Sequence, residues 1–109
     1  MVGKIFRVIF SRKSSRKLRG ISDHLTENAS SSVAANVTSE IRKEALKLEK
    51  LPGSKPTYPG TEDLEEDIRY TKKWSYKIIF EVLNPKNIVR ILTVRHDAED
   101  PEDILDDLQ

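Results

Sequence analysis

Along residues 4–10, KIFRVIF, Phe6, Val8 and Phe10 fall on one side and Ile5, Arg7 and Ile9 on the other, the period-2 pattern of a strand. Ser11 offers an N-cap hydroxyl, and Leu18, Ile21 and Leu25 then recur at helical spacing, which predicts a first helix over roughly 12–28. Asn28 and the serines at 30, 31 and 32 supply a turn and a second set of caps. Val33, Val37, Ile41, Ala45 and Leu48 mark the core face of a second helix near 31–50, so the two helices should form an antiparallel hairpin. Leu51, Pro52 and Gly53 end it, and PGSKPTYPG predicts an irregular surface loop. Three strands come next as a meander, at about 64–71, 76–83 (YKIIFEVL) and 87–95 (NIVRILTVR), with Asn84-Pro85-Lys86-Asn87 as the turn between the last two. Beyond His96, Pro101 could open a short helix whose Ile104, Leu105 and Leu108 dock on the body. The order β-α-α-β-β-β predicts an α+β domain, a helical hairpin packed on one face of a mainly antiparallel sheet.

Composition narrows this picture. At 109 residues the chain is sized for one domain, 1–109, with one modest core. The formal net charge of +1 hides an asymmetry, because residues 97–109 hold seven acidic residues and no basic one. The first 96 residues therefore carry 19 Lys and Arg against 11 Asp and Glu, a basic body of +8 with an acidic tail. The absence of cysteine excludes disulfides, a thiolate nucleophile and a Cys-based zinc site. Apolar runs are far shorter than the ~20 residues of a membrane span, and MVGKIFRVIF lacks the features of a signal peptide. A cytoplasmic protein without membrane contact is the expectation.

Several chemistries are excluded by missing signatures. No P-loop, GxGxxG, HExxH or GxSxG appears, and DAEDPEDILDD lacks the Gly and spaced Glu of an EF-hand, so no cofactor and no metal are expected. The basic residues fall into two groups. Arg12, Lys13, Arg16, Lys17 and Arg19 crowd the first turns of the first helix, where the macrodipole disfavours cations by about 0.3–1 kcal/mol each. They are either a phosphate- or acidic-partner-binding face or a solvated helix face. Arg69, Lys72, Lys73, Lys77, Arg90 and Arg95, with His96, are spread over the meander and could gather into a concave patch or remain ordinary exposed charge. His96, between Arg95 and Asp97, suits a general acid or base for phosphodiester cleavage, or simply hydrogen-bonds a nearby loop. His24 reads as a surface residue. Trp74, in a turn beside Lys72 and Lys73, either stacks on a base or anchors a partner peptide, or else covers the end of the core.

These elements, with LEKLPG after the second helix, YPG in the loop, the strand YKIIFEV and the ending ILTVRHDAEDP, resemble the RelE/ParE superfamily of toxins from type II toxin-antitoxin modules. The resemblance covers nearly the whole chain. It implies a toxin from a plasmid-stabilisation type of module, held inactive in a hetero-oligomer by a cognate antitoxin whose C-terminal segment wraps over the hairpin and sheet. The superfamily divides in mechanism. RelE-like members cut mRNA on the ribosome, using cations to support attack by the ribose 2′-OH, whereas ParE-like members inhibit DNA gyrase.

At the positions where the RelE-like pattern carries lysines, this chain has Ile68 and Tyr70. Where that pattern has an arginine after the last strand and a tyrosine six residues later, it has Asp97 and Asp103. Lys77 alone matches a cationic position. The resemblance therefore favours a ParE-like binder of gyrase, with Arg12, Lys13, Arg16, Lys17, Arg19, Lys72, Lys73 and Trp74 as partner-binding residues. The alternatives are a ribonuclease using His96, Lys77, Arg69 and Arg95 around a scissile phosphate, and a degenerate member that only binds its antitoxin.

Overall fold

A computed structural model describes residues 4–98. The elements are β1 (Arg7–Phe10), α1 (Arg12–Asn28), α2 (Ser31–Leu46), β2 (Ile68–Lys73), β3 (Tyr76–Leu83) and β4 (Ile88–His96), with 3-10 turns at Lys47–Glu49 and Pro52–Ser54. The order β-α-α-β-β-β and the α+β class are as expected. The helix proposed after Pro101 and most of the acidic tail lie outside the described residues.

The sheet runs β1-β4-β3-β2. β2, β3 and β4 form the expected antiparallel meander, and β1 joins it by pairing parallel with β4, Val8 opposite Val89. The connection that makes this parallel pairing possible is the helical hairpin itself, which carries the chain back across the sheet. The ladder between β3 and β4 has one irregularity. Ile79 stands opposite Thr93 but Phe80 stands opposite Ile91, so Leu92 is an extra residue, a bulge in β4.

Cross-strand partners share a face, which sorts the side chains. Ile78, Phe80 and Val82, with Val89, Ile91 and Val94, pack under Leu18 of α1 and Ile41 and Ala45 of α2. At about 1.5–3 kcal/mol for each large side chain taken from water, this layer dominates stability. The opposite face holds a smaller cluster of Tyr58, Ile68, Ile79 and Leu92.

Three expectations needed correction. The face of α2 turned to the core is Ala34, Thr38, Ile41 and Ala45, with Val37 partly buried beside them and Leu48 following in the 3-10 turn, while Val33 is 42% exposed. Small residues at 34 and 45 let the helix lie close, and Thr38 hides its hydroxyl by donating to the Ala34 carbonyl at 2.9 Å. The first meander strand begins at Ile68, not 64, leaving Glu65, Glu66 and Asp67 in irregular backbone before it. The loop after α2 is not merely surface, since Tyr58 and Thr61 are buried. Its backbone pairs with the outer edge of β2, Tyr58 N–H to the Ile68 carbonyl at 2.9 Å and Tyr70 N–H to the Pro56 carbonyl at 3.1 Å, which covers an otherwise open sheet edge.

Candidate functional site

The site begins where β1 becomes α1. Ser11 caps the helix by accepting the Ser14 N–H at 3.0 Å, and the same hydroxyl donates to the carbonyl of the bulged Leu92 at 3.0 Å. The Ser11 N–H donates to the Ile91 carbonyl at 2.9 Å, so the start of α1 is tied to β4 through both backbone and side chain. From that anchor α1 runs past the ends of β3 and β4 and leaves a groove of about 690 Å³ between them. Lys13, Lys17, Gly20 and His24, spaced by four, three and four residues, form a single stripe along the helix wall. Arg16, Ile21 and Leu25 flank it, and Tyr76 and His96 form the strand wall. Among the described residues no carboxylate lines the groove.

His96 packs edge-on against Tyr76, with ring centroids 5.2 Å apart. Its Nδ1 accepts the Ala98 N–H at 3.0 Å, so the neutral ring carries its proton on Nε2. The loop-bonding role open to this histidine is thus realised, and the ring also stands at the groove.

Behind it, on the opposite sheet face, lies a second hollow of about 280 Å³ bordered by Tyr58, Tyr70, Lys77, Arg95, His96 and Asp97. Lys72, Lys77 and Arg95 are cross-strand neighbours on that face. Asp97 neutralises two of them, with Oδ2 3.3 Å from Lys72 Nζ and Oδ1 3.2 Å from Lys77 Nζ. The hydrogen bond from Lys77, aided by Lys72 and only partly opposed by desolvation, holds the Asp97 carboxyl below its ordinary range. Arg95 is buried, 3% exposed, and belongs to the wall of the sheet more than to an open cationic surface.

The proposed ribonuclease set is therefore divided. Lys77, Arg95 and His96 border one hollow, but Arg69 stands apart from them. Paired with Phe80, Arg69 lies on the helix side of the sheet. Its guanidinium donates to Asp67 at 2.9 Å and to the carbonyls of Gly53 at 3.0 Å and Lys55 at 2.6 Å, clamping the loop after α2.

Of the partner-binding residues, Lys13, Arg16 and Lys17 line the groove, whereas Arg12 and Arg19 are exposed outside it. Lys72 is held by Asp97. Lys73 lies 3.9 Å from the Glu40 carboxylate and 4.8 Å above the Trp74 ring. Trp74 forms the turn between β2 and β3 with φ 53° and is 54% exposed, so it does not cover the core. Tyr76 escaped sequence reasoning as a groove residue, while His24 is exposed as read and also lines the groove. The 4-3-4 spacing through His24 was the available signal. Asp97 as the counter-ion of Lys72 and Lys77 was also missed, because only the strand register brings the three together.

Comparison with known proteins places this geometry. Residues 8–101 match the family described as ParE toxin of type II toxin-antitoxin system, parDE. No curated protein matches the chain. Among solved structures, a chain of the chromosomal ParDE toxin-antitoxin system from P. aeruginosa superposes with a TM-score of 0.69 at 17% identity, covering 86% of this chain and 98% of that one. A chain of the RelBE2 toxin-antitoxin complex from Mycobacterium tuberculosis gives 0.63 at 16% identity, with 87% and 94% covered. A mutant of the E. coli toxin RelE in the free state gives 0.59 at 14% identity, with 86% and 85% covered.

Proposed function

Because the chain belongs to the ParE toxin family of type II toxin-antitoxin systems, we propose that it acts in the cytoplasm by binding DNA gyrase, and that a cognate antitoxin neutralises it. That the ParDE and RelBE2 neighbours come from toxin-antitoxin systems supports the antitoxin as partner. A plasmid-stabilising role belongs to the same proposal.

The observation that carries the choice of target is Asp97 seated between Lys72 and Lys77. Cleavage by 2′-OH attack needs cations aimed at charge developing on phosphorus. Here a carboxylate held in its charged form occupies that place and repels a phosphodiester, while Arg69 is spent on the loop. A protein partner tolerates such a neutralised pair. The second reading, an mRNA endoribonuclease, draws on Lys77, Arg95 and His96 bordering one hollow, with Nε2–H of His96 as the proton-transfer group.

Inducing the chain in cells without antitoxin, while following plasmid supercoiling and mRNA integrity, separates the readings. Loss of negative supercoiling with intact mRNA, reproduced with purified gyrase, is the expected result. Rapid mRNA cleavage with normal supercoiling, abolished by His96→Ala, overturns it in favour of the nuclease. Unimpaired growth with stable antitoxin binding overturns both and leaves a member that only binds its antitoxin.

A further inference from the structure

We propose that the indole of Trp74, at the turn between β2 and β3, is the anchor by which the chain seats in an apolar pocket of its protein target; the proposal rests on the reading of DNA gyrase as that target.

The turn itself does not call for this residue. Lys73 closes β2, Tyr76 opens β3, and the two are cross-strand partners, so Trp74 and Ser75 alone make the connection. A two-residue hairpin turn needs positive φ at its first position, where glycine, asparagine and aspartate serve with least strain. Trp74 takes φ 53° there, a backbone conformation in which a bulky aromatic residue is an outlier. Burial gives no offset, since Trp74 is 54% exposed. A residue that strains the backbone and still leaves an indole in water stabilises the free chain by neither route, which points to a use outside it.

Leu51 is also exposed with φ 52°, but at Trp74 the ring is held as well. Lys73 Nζ lies over it, 4.8 Å from the centroid, and the same ammonium is 3.9 Å from Oε2 of Glu40 on α2. The Asp97 N–H donates to the Ser75 carbonyl at 2.8 Å, which ties the turn to the end of β4. The indole is therefore preorganised, and docking has little left to order.

The surroundings choose the kind of pocket. Lys72 and Lys73 precede Trp74 in the chain, and each has a carboxylate, Asp97 at 3.3 Å and Glu40 at 3.9 Å. A ring that stacks on the bases of a single strand sits in a cationic track. Here the carboxylates beside both lysines repel a phosphate backbone. An aromatic anchor in a rim of balanced charge is instead the anatomy of a protein interface, where tryptophan is among the residues that carry most of the binding energy.

Trp74 is the only tryptophan of the chain, so its biosynthetic replacement by hydroxytryptophan, which absorbs to the red of ordinary tryptophan, lets it be followed in the presence of gyrase. With purified gyrase the label should emit at shorter wavelength and lose accessibility to acrylamide. Trp74→Gly suits the positive φ, so its thermal midpoint should stand at or above the parent's while it binds gyrase roughly thirtyfold more weakly, with Trp74→Phe in between. Equal gyrase binding by parent and Trp74→Gly, with an unchanged label, overturns the proposal and leaves gyrase as the target. A clear fall in the midpoint of Trp74→Gly makes the indole part of the fold and overturns it as well. No gyrase binding by the parent overturns the gyrase reading and the proposal with it. Quenching of the label by single-stranded RNA overturns it in favour of base stacking, and a shift that grows with the concentration of the labelled chain alone overturns it in favour of a second copy.

Discussion

The Ser11 hydroxyl and the Leu92 carbonyl meet at 3.0 Å across 81 residues of sequence, joining the cap of α1 to the bulge of β4. An inserted residue in β4 turns a carbonyl toward the one side chain that must also hold the helix start. The wall of the groove is therefore set at its origin by one hydroxyl serving as donor and acceptor at once.

Replacing that hydroxyl tests the coupling. Ser11→Ala removes a helix cap and one buried hydrogen bond, and should cost about 1–2 kcal/mol in urea unfolding. Amide shifts should change at Lys13, Lys17 and His96 together, because the helix and strand walls lose a common fixing point. A Ser11→Thr variant keeps the hydroxyl and should retain most of the stability.

Thr93 has a contrary character. It is fully buried on the face of Ile79, and among the described residues its Oγ1 has no hydrogen-bond partner. Thr93→Val exchanges a hydroxyl for a methyl group of similar shape and should stabilise the chain by up to about 1 kcal/mol, read as a raised urea midpoint with an unchanged m-value.

Gly20 lies within α1 and on the groove wall, and a Cβ added there would have nothing within 4 Å. Gly20→Ala should therefore gain about 0.5–1 kcal/mol of helix stability without strain. The new methyl group projects into the groove, so an antitoxin segment seated there should bind more weakly while folding improves. Calorimetric titration beside thermal unfolding separates the two effects.

Asp97→Asn leaves Lys72 and Lys77 without their shared counter-ion. Affinity for heparin should rise at low salt, and for duplex DNA the dependence of log K on log salt should steepen by on the order of one to two. Since Lys77 and Lys72 depress the Asp97 titration in the folded chain, the carboxylate's contribution to stability is fully present above its ordinary value. It is lost as pH falls through the depressed one. The thermal midpoints of parent and variant should therefore differ slightly near neutrality and converge in strong acid.

How far the chain could be read beforehand depended on whether the informative signal was local. The α1 stripe of Leu18, Ile21 and Leu25 and the alternation of Tyr76 to Leu83 are periodicities within one element, and both elements form as read. Thr38 in the core face of α2 was hidden because its polarity is absorbed by its own helix. The cations of the meander failed as a group for a different reason. Parity places Arg69 against Phe80 and Lys77 against Arg95, on opposite faces, and pairing offsets are not written in any one strand. The extra residue at Leu92, which decides where Ser11 lands, is likewise visible only once β3 and β4 are paired.

The parallel pairing of β1 with β4 gives the molecule a schedule as well as a shape. Among the four strands of the sheet, the earliest in the chain pairs with the latest, and the groove takes its walls from residues 13–25 and from Tyr76 and His96. Such long-range closure cannot precede the emergence of β4 from the ribosome. A chain broken off before Ile88 carries the residues of the hairpin but lacks the strand that anchors Ser11 and supplies His96, so an incomplete translation product should present no such groove to any target.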